Sequence, residues 1–344
     1  MKTKKLYGKK DCALEIREAE LADPDVNEAL VRVDACGVCG TDIHFLRDWD
    51  DDPVPLGHEI AGEVIAVGSA VSTVKPGDTV IVEDCTLCGT CPSCKNGRAD
   101  LCRNMFGLDD QSGLGQYLRV RHNNLVKYDG LPSETACLTE PLAVSLNSVL
   151  YAEIPPHGSV LVLGCGPLGL MSARVAQLFG AGFTAIADVA LDTPPGRARG
   201  ELARKWGMDL VIDSRNEDLE AEIKQRFPEG VDRVIVSAPP ESFHDALKVI
   251  AYGGIIAFYG LHLGGRNRVE LDINDLIFRK ITLRPVFAEP ALNFNRSLEL
   301  LHAGRISAAD LVTHTFTFDD ARERLGSIVA GTDPVIKAVM RPHA

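Results

Sequence analysis

The residues best suited to chemistry lie in the segment GVCGTDIHFLRDWDDDPVPLGHE, which holds a cysteine, two histidines and a glutamate between Gly37 and Glu59. Cys39 and His58 supply a thiolate and an imidazole, both of which bind zinc well. Two acids compete for a third position: Glu59, next to His58, and Glu140 in TEPLAV. Three protein ligands leave a fourth position open, and zinc then acts as a Lewis acid that stabilises the alkoxide formed when an alcohol loses hydride.

Two other interpretations of these residues stay open at this stage. Cys36 and Cys39 form a C-x-x-C pair, which occurs in redox proteins, although no thioredoxin-like pattern surrounds it. Glu140 stands in the first turn of a predicted helix that Thr139 would cap, and an acid there needs no metal to explain it.

The residues that follow Cys39 predict support for the same site. Thr41 and His44 place a hydroxyl and an imidazole on its rim, which suits an exit route for a proton. Asp42 is placed to orient a metal-binding imidazole. A surface position is the ordinary alternative for His44.

A second group of cysteines occurs in DCTLCGTCPSCKNGRADLC, with two, two and seven residues between successive members Cys88, Cys91, Cys94 and Cys102. Four thiolates complete a tetrahedral shell around zinc, so the spacing predicts a structural zinc lobe over about residues 85–103. Cys85 is interpreted as a bystander. Unrelated thiols and a nucleic-acid-binding zinc ribbon are the alternatives, and the acidic setting disfavours the ribbon.

A dinucleotide site is predicted by VLVLGCGPLG, in which a strand ends and a helix begins around Gly164, Gly166 and Gly169. The first glycine turns the chain, the second lets the backbone approach a pyrophosphate, and the third allows the helix to pack closely on the strand. The helix N-terminus adds free amides for the phosphates.

Asp188 ends the next strand, where its carboxylate can accept hydrogen bonds from ribose hydroxyls and would repel a 2′-phosphate. NAD is therefore favoured over NADP. Arg197 and Arg199 provide the alternative, because the segment after Asp188 is interpreted as an unusually long loop from which either arginine could reach a 2′-phosphate.

The chain as a whole has 344 residues and a formal net charge of −12, with no apolar run long enough for a membrane span and no apolar signal segment. The charge argues against a nucleic-acid or anionic-membrane partner and favours small metabolites. A cytoplasmic protein whose ten cysteines are thiols is expected.

The order of elements predicts two domains. Short alternating strands over residues 14–126 indicate an irregular β-barrel, and apolar strands separated by helix-length segments after residue 147 indicate a parallel sheet. The last sixty or so residues are expected to return to the first domain. The predicted bounds are 1–146 with 286–344 for the catalytic domain and 147–285 for the dinucleotide-binding domain.

These motifs together resemble the zinc-dependent medium-chain dehydrogenase/reductase superfamily, and the EPLAV segment resembles its sorbitol (polyol) and threonine dehydrogenase branch. The resemblance implies an α/β protein: a GroES-like irregular β-barrel catalytic domain plus a Rossmann domain with a doubly wound parallel six-stranded sheet. It implies one catalytic zinc at Cys39 and His58, with Glu59 and Glu140 as direct or water-mediated ligands, and one structural zinc. It also implies a proton path through Thr41, the nicotinamide ribose and His44.

The same resemblance implies that NAD is bound and that chains join as dimers or tetramers through their Rossmann sheets. The residues it assigns to the cofactor are Gly164, Gly166, Pro167, Leu168, Gly169, Asp188, Val189, Ser237, Ala238, Leu261 and, at the pyrophosphate, Lys337.

The expected substrate is a secondary alcohol of a polyol, sugar or related hydroxylated metabolite. Sorbitol dehydrogenases usually carry an arginine after the phenylalanine that corresponds to Phe287, whereas this chain has Ala288 and Glu289, which disfavours sorbitol. The alternatives are a threonine-type amino alcohol and a non-enzymatic nucleotide-binding relic of the fold.

Overall fold

Two compact units are seen in the computed structural model, which describes residues 1–262, 267–289 and 291–344. The first unit comprises Met1–Ala143, Ala288–Ala330 and Lys337–Ala344, and the second comprises Val144–Phe287 and Gly331–Ile336. The sequence places the junctions at 146/147 and 285/286, and it assigns 331–336 to the first domain rather than the second.

The described ranges contain strands, helices and three short 3₁₀ turns. The strands are β1 Lys2–Lys9, β2 Ala13–Glu20, β3 Glu28–Gly37, β4 Val54–Pro55, β5 Glu59–Val67, β6 Thr79–Val82, β7 Tyr117–Arg121, β8 Leu125–Lys127, β9 Ser159–Leu163, β10 Phe183–Asp188, β11 Leu210–Asp213, β12 Val231–Val236, β13 Ile250–Phe258, β14 Thr282–Pro285, β15 Val312–Phe316 and β16 Lys337–Met340. The helices are α1 Gly40–Asp48, α2 Pro92–Lys95, α3 Ser133–Ala136, α4 Thr139–Ala152, α5 Pro167–Leu178, α6 Pro194–Lys205, α7 Leu219–Lys224, α8 Phe243–Val249, α9 Ile273–Arg279, α10 Phe294–His302, α11 Ala308–Leu311 and α12 Ala321–Ala330. The 3₁₀ turns are Ala99–Leu101, His122–Asn124 and Pro240–Ser242.

The first unit is built on a seven-stranded sheet in the order β15-β16-β3-β5-β6-β8, with β7 paired to β3, and on a smaller sheet β2-β1-β4. Strand β3 lies at the centre of the larger sheet, and its apolar side chains are buried on both faces. The C-terminal strand β16 pairs antiparallel with β3. The last residues of the chain are therefore part of the sheet that carries Cys39 and Glu59.

The second unit is a parallel six-stranded sheet in the order β11-β10-β9-β12-β13-β14. Each of its strands coincides with an apolar run that the sequence singled out, because strands covered by helices on both faces are apolar throughout. The order changes direction beside β9, and ligands of such sheets bind at that point, outside the carboxyl ends of the strands. The predicted fold class is confirmed.

Two local predictions were wrong. The segment after Asp188 is not a long loop, because α6 begins at Pro194 and includes both Arg197 and Arg199. Thr193 Oγ1 caps this helix by accepting a hydrogen bond from Gly196 N over 3.2 Å, and a proline suits the first helical position. Thr139 does not cap α4, since its hydroxyl donates to Ala136 O over 2.7 Å.

Within the described ranges, no helix combines the length and the apolar character that crossing a bilayer requires.

Candidate functional site

Cys39, His58 and Glu59 converge on one point of the first unit, with one ligand atom from each lying within 4.8 Å of the others. Cys39 is the N-cap residue of α1, two residues after β3 ends, and Glu59 begins β5 directly opposite Gly37 of β3. The antiparallel pairing of β3 with β5 therefore brings together residues that are about twenty positions apart.

Two glycines make this convergence possible. A Cβ atom at Gly37 would lie 2.0 Å from Glu59 Oε2, so a larger residue would displace the carboxylate. Gly57 has φ of +83°, in the left-handed region that glycine adopts at no steric cost, and it turns the chain immediately before His58.

Asp42 ties the two ligand-bearing segments to each other. Its Oδ2 accepts a hydrogen bond from Cys39 N over 2.8 Å, and its Oδ1 accepts one from Gly57 N over 2.8 Å. The side chain is 1% exposed. The sequence predicted that Asp42 orients the imidazole; both of its oxygens instead bind backbone amides beside the ligands.

Glu59 is fully buried and bound on one side. Its Oε1 accepts a hydrogen bond from Lys337 Nζ over 2.5 Å, whereas its Oε2 is buried and has no hydrogen-bond partner among the described residues. Lys337 Nζ also donates to Val38 O over 2.8 Å. A buried carboxylate oxygen without a partner is costly unless a cation binds it, and this oxygen belongs to the thiolate, imidazole and carboxylate set that zinc prefers. The residues present therefore fit a zinc ion.

Lys337 itself is 4% exposed and engaged within the first unit. Its predicted contact with the cofactor pyrophosphate stays a prediction. In the structure its ammonium group compensates the charge of the buried Glu59 carboxylate.

The electrostatic surroundings of the site are negative. Burial alone would lower the pKa of His58, but the charge of Cys39, a hydrogen bond to it and the charges of Asp42 and Glu140 raise that pKa well above its usual value. Burial raises the pKa of Glu140 well above its usual value, against the opposing charge of His58. Such a field favours a bound cation.

Glu140 lies in the first turn of α4 and is 7% exposed, outside the tight group formed by Cys39, His58 and Glu59. It is close enough for its charge to act on that of His58. The structure thus brings the two competing acids near the same site and puts Glu59 in the closer position.

Thr41 and His44 both lie on α1. Cys39 Sγ is 3.7 Å from Thr41 Oγ1, in a hydrogen bond between sulfur and hydroxyl. His44 Nδ1 is 3.6 Å from Asp48 Oδ2, and the His44 side chain is 29% exposed. The hydroxyl therefore adjoins a ligand while the imidazole borders solvent, and their predicted part in proton transfer stays a prediction.

The four cysteines of the predicted lobe form a second group, in which the sulfur atoms all lie within 4.8 Å of one another. Cys91 Sγ is 3.5 Å from Cys94 Sγ, and Cys88 Sγ is 3.6 Å from Cys102 Sγ. Hydrogen bonds from the amides of Thr90 and Cys91 lower the pKa of Cys88 to about 6. The pKa of Cys91 is also lowered, whereas burial raises that of Cys94 to about 12. Cys85 is outside the group, as a bystander would be.

The glycine-rich turn of the second unit joins β9 to α5. Gly164 has φ of +102°, and a Cβ atom there would lie 2.6 Å from Ser237 Oγ. A Cβ atom at Gly169 would lie 1.9 Å from Gly164 O, whereas one at Gly166 would meet no atom within 4 Å. The first and third glycines are thus required by packing, and the second, before Pro167 and Leu168 of α5, leaves space beside the helix N-terminus.

Other predicted cofactor residues lie at the carboxyl ends of neighbouring strands. Asp188 ends β10, and its two oxygens accept hydrogen bonds from Cys165 N over 2.7 Å and Ala190 N over 3.0 Å. Ser237 and Ala238 follow β12, and the Ser237 hydroxyl donates to Leu163 O over 2.9 Å. Val189 and Leu261 are exposed.

Arg199 extends from α6 toward Asp188. Its Nε is buried and has no hydrogen-bond partner in the part of the chain that the structure describes. Burial lowers the pKa of the guanidinium, while the charge of Asp188 opposes the shift. Arg197 is exposed and binds Asp192 O through its guanidinium. The guanidinium near Asp188 is therefore that of Arg199.

Two acids beside the metal-ligand group, Asp84 and Glu289, were not predicted from the sequence to belong to the site. Burial raises the pKa of Asp84, and the charge of His58 opposes that shift. Burial also raises the pKa of Glu289, with a contribution from the charge of Asp84. The signal for Asp84 is its position two residues after Val82, which pairs with Ile60 at the end of β5 that follows His58.

Comparisons with known proteins agree with this arrangement. Residues 25–132 match the family described as the alcohol dehydrogenase GroES-like domain, and residues 167–303 match the family described as zinc-binding dehydrogenase. L-Galactonate-5-dehydrogenase of Escherichia coli K12 is 31% identical over 94% of each chain. L-Threonine 3-dehydrogenase of Chelativorans is 33% identical over 89% of each chain.

Sorbitol dehydrogenase of Bacillus subtilis is 31% identical over 96% of this chain and 95% of its own. A solved structure from Sinorhizobium meliloti, described as a zinc-binding dehydrogenase bound to NADP, superimposes with a TM-score of 0.87 at 27% identity, covering 99% of this chain and 100% of the other.

A GroES-like sheet that carries a thiolate–imidazole–carboxylate group, together with a Rossmann sheet that carries a glycine-rich turn, defines the class of zinc-dependent dehydrogenases. The chain belongs to the zinc-dependent medium-chain dehydrogenase/reductase superfamily, as an alcohol or polyol dehydrogenase.

Proposed function

We propose that the protein oxidises a secondary alcohol of a polyol, sugar or related hydroxylated metabolite, with NAD as the hydride acceptor and zinc held by Cys39, His58 and Glu59. The observation that carries the proposal is the convergence of these three donors within 4.8 Å around a carboxylate oxygen that has no other partner. Zinc, when bound by these residues, supplies a Lewis acid at the substrate hydroxyl.

The residues around these ligands hold the site and move the proton. Asp42 fixes the backbone of both ligand-bearing segments through its two amide hydrogen bonds. The Thr41 hydroxyl, which adjoins Cys39, relays the proton of the substrate hydroxyl by accepting it while donating its own, and the partly exposed His44 releases a proton to solvent. Glu140 stands beside the ligands as the acid available for exchange with Glu59.

A second zinc bound by Cys88, Cys91, Cys94 and Cys102 is structural, because four thiolates leave no open position. NAD is the proposed cofactor, since the carboxylate of Asp188 repels a 2′-phosphate. The guanidinium of Arg199 near Asp188 favours a 2′-phosphate instead, and the structure from Sinorhizobium is described as bound to NADP. NADP is therefore the alternative cofactor.

The test is a panel of polyols, sugars, inositols and threonine, assayed at constant pH with NAD and with NADP by nicotinamide absorbance. The zinc-loaded protein is expected to hold two zinc ions per chain and to oxidise at least one polyol or sugar with NAD. Cys39→Ser is expected to lose one zinc and the activity, while Cys12→Ser, a cysteine outside both groups, keeps both. Failure of the zinc-loaded protein to oxidise any compound would defeat the proposal.

Threonine is the second candidate substrate, supported by the relatives that are threonine 3-dehydrogenases. It would require a cation for the substrate carboxylate. Oxidation of threonine with kcat/KM above that of every polyol in the panel would favour this candidate.

We also propose that the protein is a homo-oligomer joined through its Rossmann sheets. Strand β14 is the edge of the parallel sheet, and Ile277 and Phe278 on the preceding helix α9 are 63% and 71% exposed. An open edge beside apolar side chains favours pairing with a second copy. Light scattering after size-exclusion chromatography is expected to give a dimer or tetramer, and Phe278→Asp is expected to shift it toward the monomer.

A further inference from the structure

Asp84 lies next to the proposed catalytic ligands because of strand register. Strands β5 and β6 pair antiparallel with Ile60 opposite Val82. Asp84 follows β6 by two residues and His58 stands one residue before β5, so both lie just beyond the paired ends of these two strands. The charge of Asp84 accordingly acts on both His58 and Glu59.

Glu289 comes from a distant part of the sequence and is tied to the same place. Ala291 N donates a hydrogen bond to Cys85 O over 2.7 Å, which fastens this segment to the residue after Asp84. The Cys85 side chain is hydrogen-bonded to the Glu289 carboxyl group. Burial, followed by the charge of Glu289, raises the pKa of Cys85 to about 12, so the thiol stays protonated and donates this bond.

The buried ammonium group of Lys337 is already hydrogen-bonded to other groups of the site. Lys337 Nζ donates to Glu59 Oε1 and to Val38 O, and it is buried with them. Asp84 and Glu289 thus add two carboxyl groups to a site that already contains Cys39, Glu59 and Glu140. Among the described residues, Glu59 Oε2 is buried without a hydrogen-bond partner, which marks this place as the cation site described above.

We propose that Asp84 and Glu289 determine substrate specificity by selecting a hydroxylated substrate that carries an ammonium group, and that they disfavour one that carries a carboxylate. The inference rests on the proposed function and specifies its substrate class. Carboxylates attract an ammonium group as the substrate enters a partly desolvated site. Like charge rejects an anionic substrate, which is discrimination by repulsion.

The inference distinguishes this chain from the relative that is an L-galactonate-5-dehydrogenase, whose named substrate is an anion. It also gives a role to Glu289, which follows the position, here Ala288, at which sorbitol dehydrogenases usually carry an arginine. An amino polyol or amino alcohol without a carboxylate is the class of compound that satisfies both carboxyl groups.

The experiment compares three six-carbon substrates that differ only at C1: glucamine, with an ammonium group; sorbitol, with a hydroxyl; and gluconate, with a carboxylate. The shorter set of 1-amino-2-propanol, 1,2-propanediol and lactate repeats the comparison without the sugar chain. Each is assayed with the zinc-loaded protein and NAD. The zinc content and NADH binding of every variant are measured separately.

The amine is expected to have the highest kcat/KM and the carboxylate the lowest in at least one set. Glu289→Gln and Asp84→Asn are each expected to lower the amine-to-carboxylate ratio of kcat/KM about tenfold, with zinc content and NADH binding unchanged. Glu18→Gln, at an exposed position on β2, removes the same charge elsewhere and is expected to leave the ratio unchanged.

The inference is overturned if the wild-type protein prefers the carboxylate or the neutral member of both sets, or if neither substitution changes the ratio. If Asp84→Asn lowers the zinc content, Glu289→Gln alone decides the result. Absence of any oxidation by the zinc-loaded protein, across both sets and the wider panel, would instead contradict the proposed function.

Discussion

Lys337 Nζ lies 2.5 Å from Glu59 Oε1, although the two residues are 278 positions apart in the sequence. Both side chains are buried, at 4% and 0% exposure. They meet because β16 pairs with β3 and β3 pairs with β5. A strand near the end of the sequence thereby supplies the charge that compensates the buried Glu59 carboxylate.

Lys337→Met is expected to lower the free energy of unfolding by about 3–5 kcal/mol, because it leaves the Glu59 carboxylate buried without its cation. Urea denaturation of the metal-free protein measures the effect, and Lys2→Met, at an exposed site, is the control. The double variant Glu59→Gln/Lys337→Met should recover part of the loss. A change below about 1 kcal/mol in Lys337→Met would refute this assignment of the ion pair.

Asp42→Asn is expected to weaken zinc binding at the catalytic site about 10–100-fold. An amide has one acceptor oxygen and therefore cannot accept from both Cys39 N and Gly57 N. Competition with a chromogenic chelator measures the affinity. The zinc in the four-cysteine lobe is the internal control, and equal weakening at both sites would indicate a general loss of structure.

Cys91→Ser is expected to remove one zinc ion per chain and to make residues 88–102 sensitive to protease, because the remaining thiols cannot complete the tetrahedral shell. Metal analysis and limited proteolysis followed by mass spectrometry measure these effects. Cys85→Ser, just outside the group, should retain two zinc ions. Two zinc ions retained in Cys91→Ser would contradict the four-cysteine assignment.

The pH dependence of stability is expected to contain a contribution from Glu83. Burial raises the pKa of its carboxyl group from 4.5 to about 7. The folded state therefore binds more protons than the unfolded state between these values, and stability falls as pH rises from about 4.5 to 7, by up to about 3 kcal/mol.

Glu83→Gln is expected to remove this contribution, so its stability relative to the wild type should increase as pH rises across that range. Urea unfolding at several pH values from 5 to 8 measures the difference. A difference that is constant with pH would show that Glu83 is not the group responsible.

Asp188→Ala is expected to lower kcat/KM with NAD about tenfold and to spare kcat/KM with NADP, because the variant loses hydrogen bonds to ribose hydroxyls and a charge that repels a 2′-phosphate. The quantity to compare between variants is the ratio of kcat/KM with NAD to kcat/KM with NADP. Arg199→Gln should change the ratio in the opposite direction if the guanidinium binds a 2′-phosphate. An unchanged ratio in Asp188→Ala would refute the assignment of this carboxylate.

Local signals in the sequence were sufficient to predict several structural elements. The six apolar runs predicted β9 to β14, and the glycine spacing located the turn between β9 and α5. The Cys88-to-Cys102 spacing predicted a group that the structure assembles, because all four residues lie in one short, curled segment. One local prediction failed: the segment after Asp188 was interpreted as a long loop, yet a threonine cap followed by proline begins α6.

The sequence by itself determined which residue types could bind zinc and a dinucleotide, since ligand chemistry and glycine stereochemistry depend on residue identity and close spacing. Only the tertiary structure decided that Glu59 rather than Glu140 joins the closest group, that Lys337 binds Glu59, and that Asp84 and Glu289 come within electrostatic range of His58. The physical reason is that these contacts follow from the register of β5 with β6 and of β16 with β3 and from the return of the chain after residue 287. Pairings between distant segments leave no local pattern in the sequence.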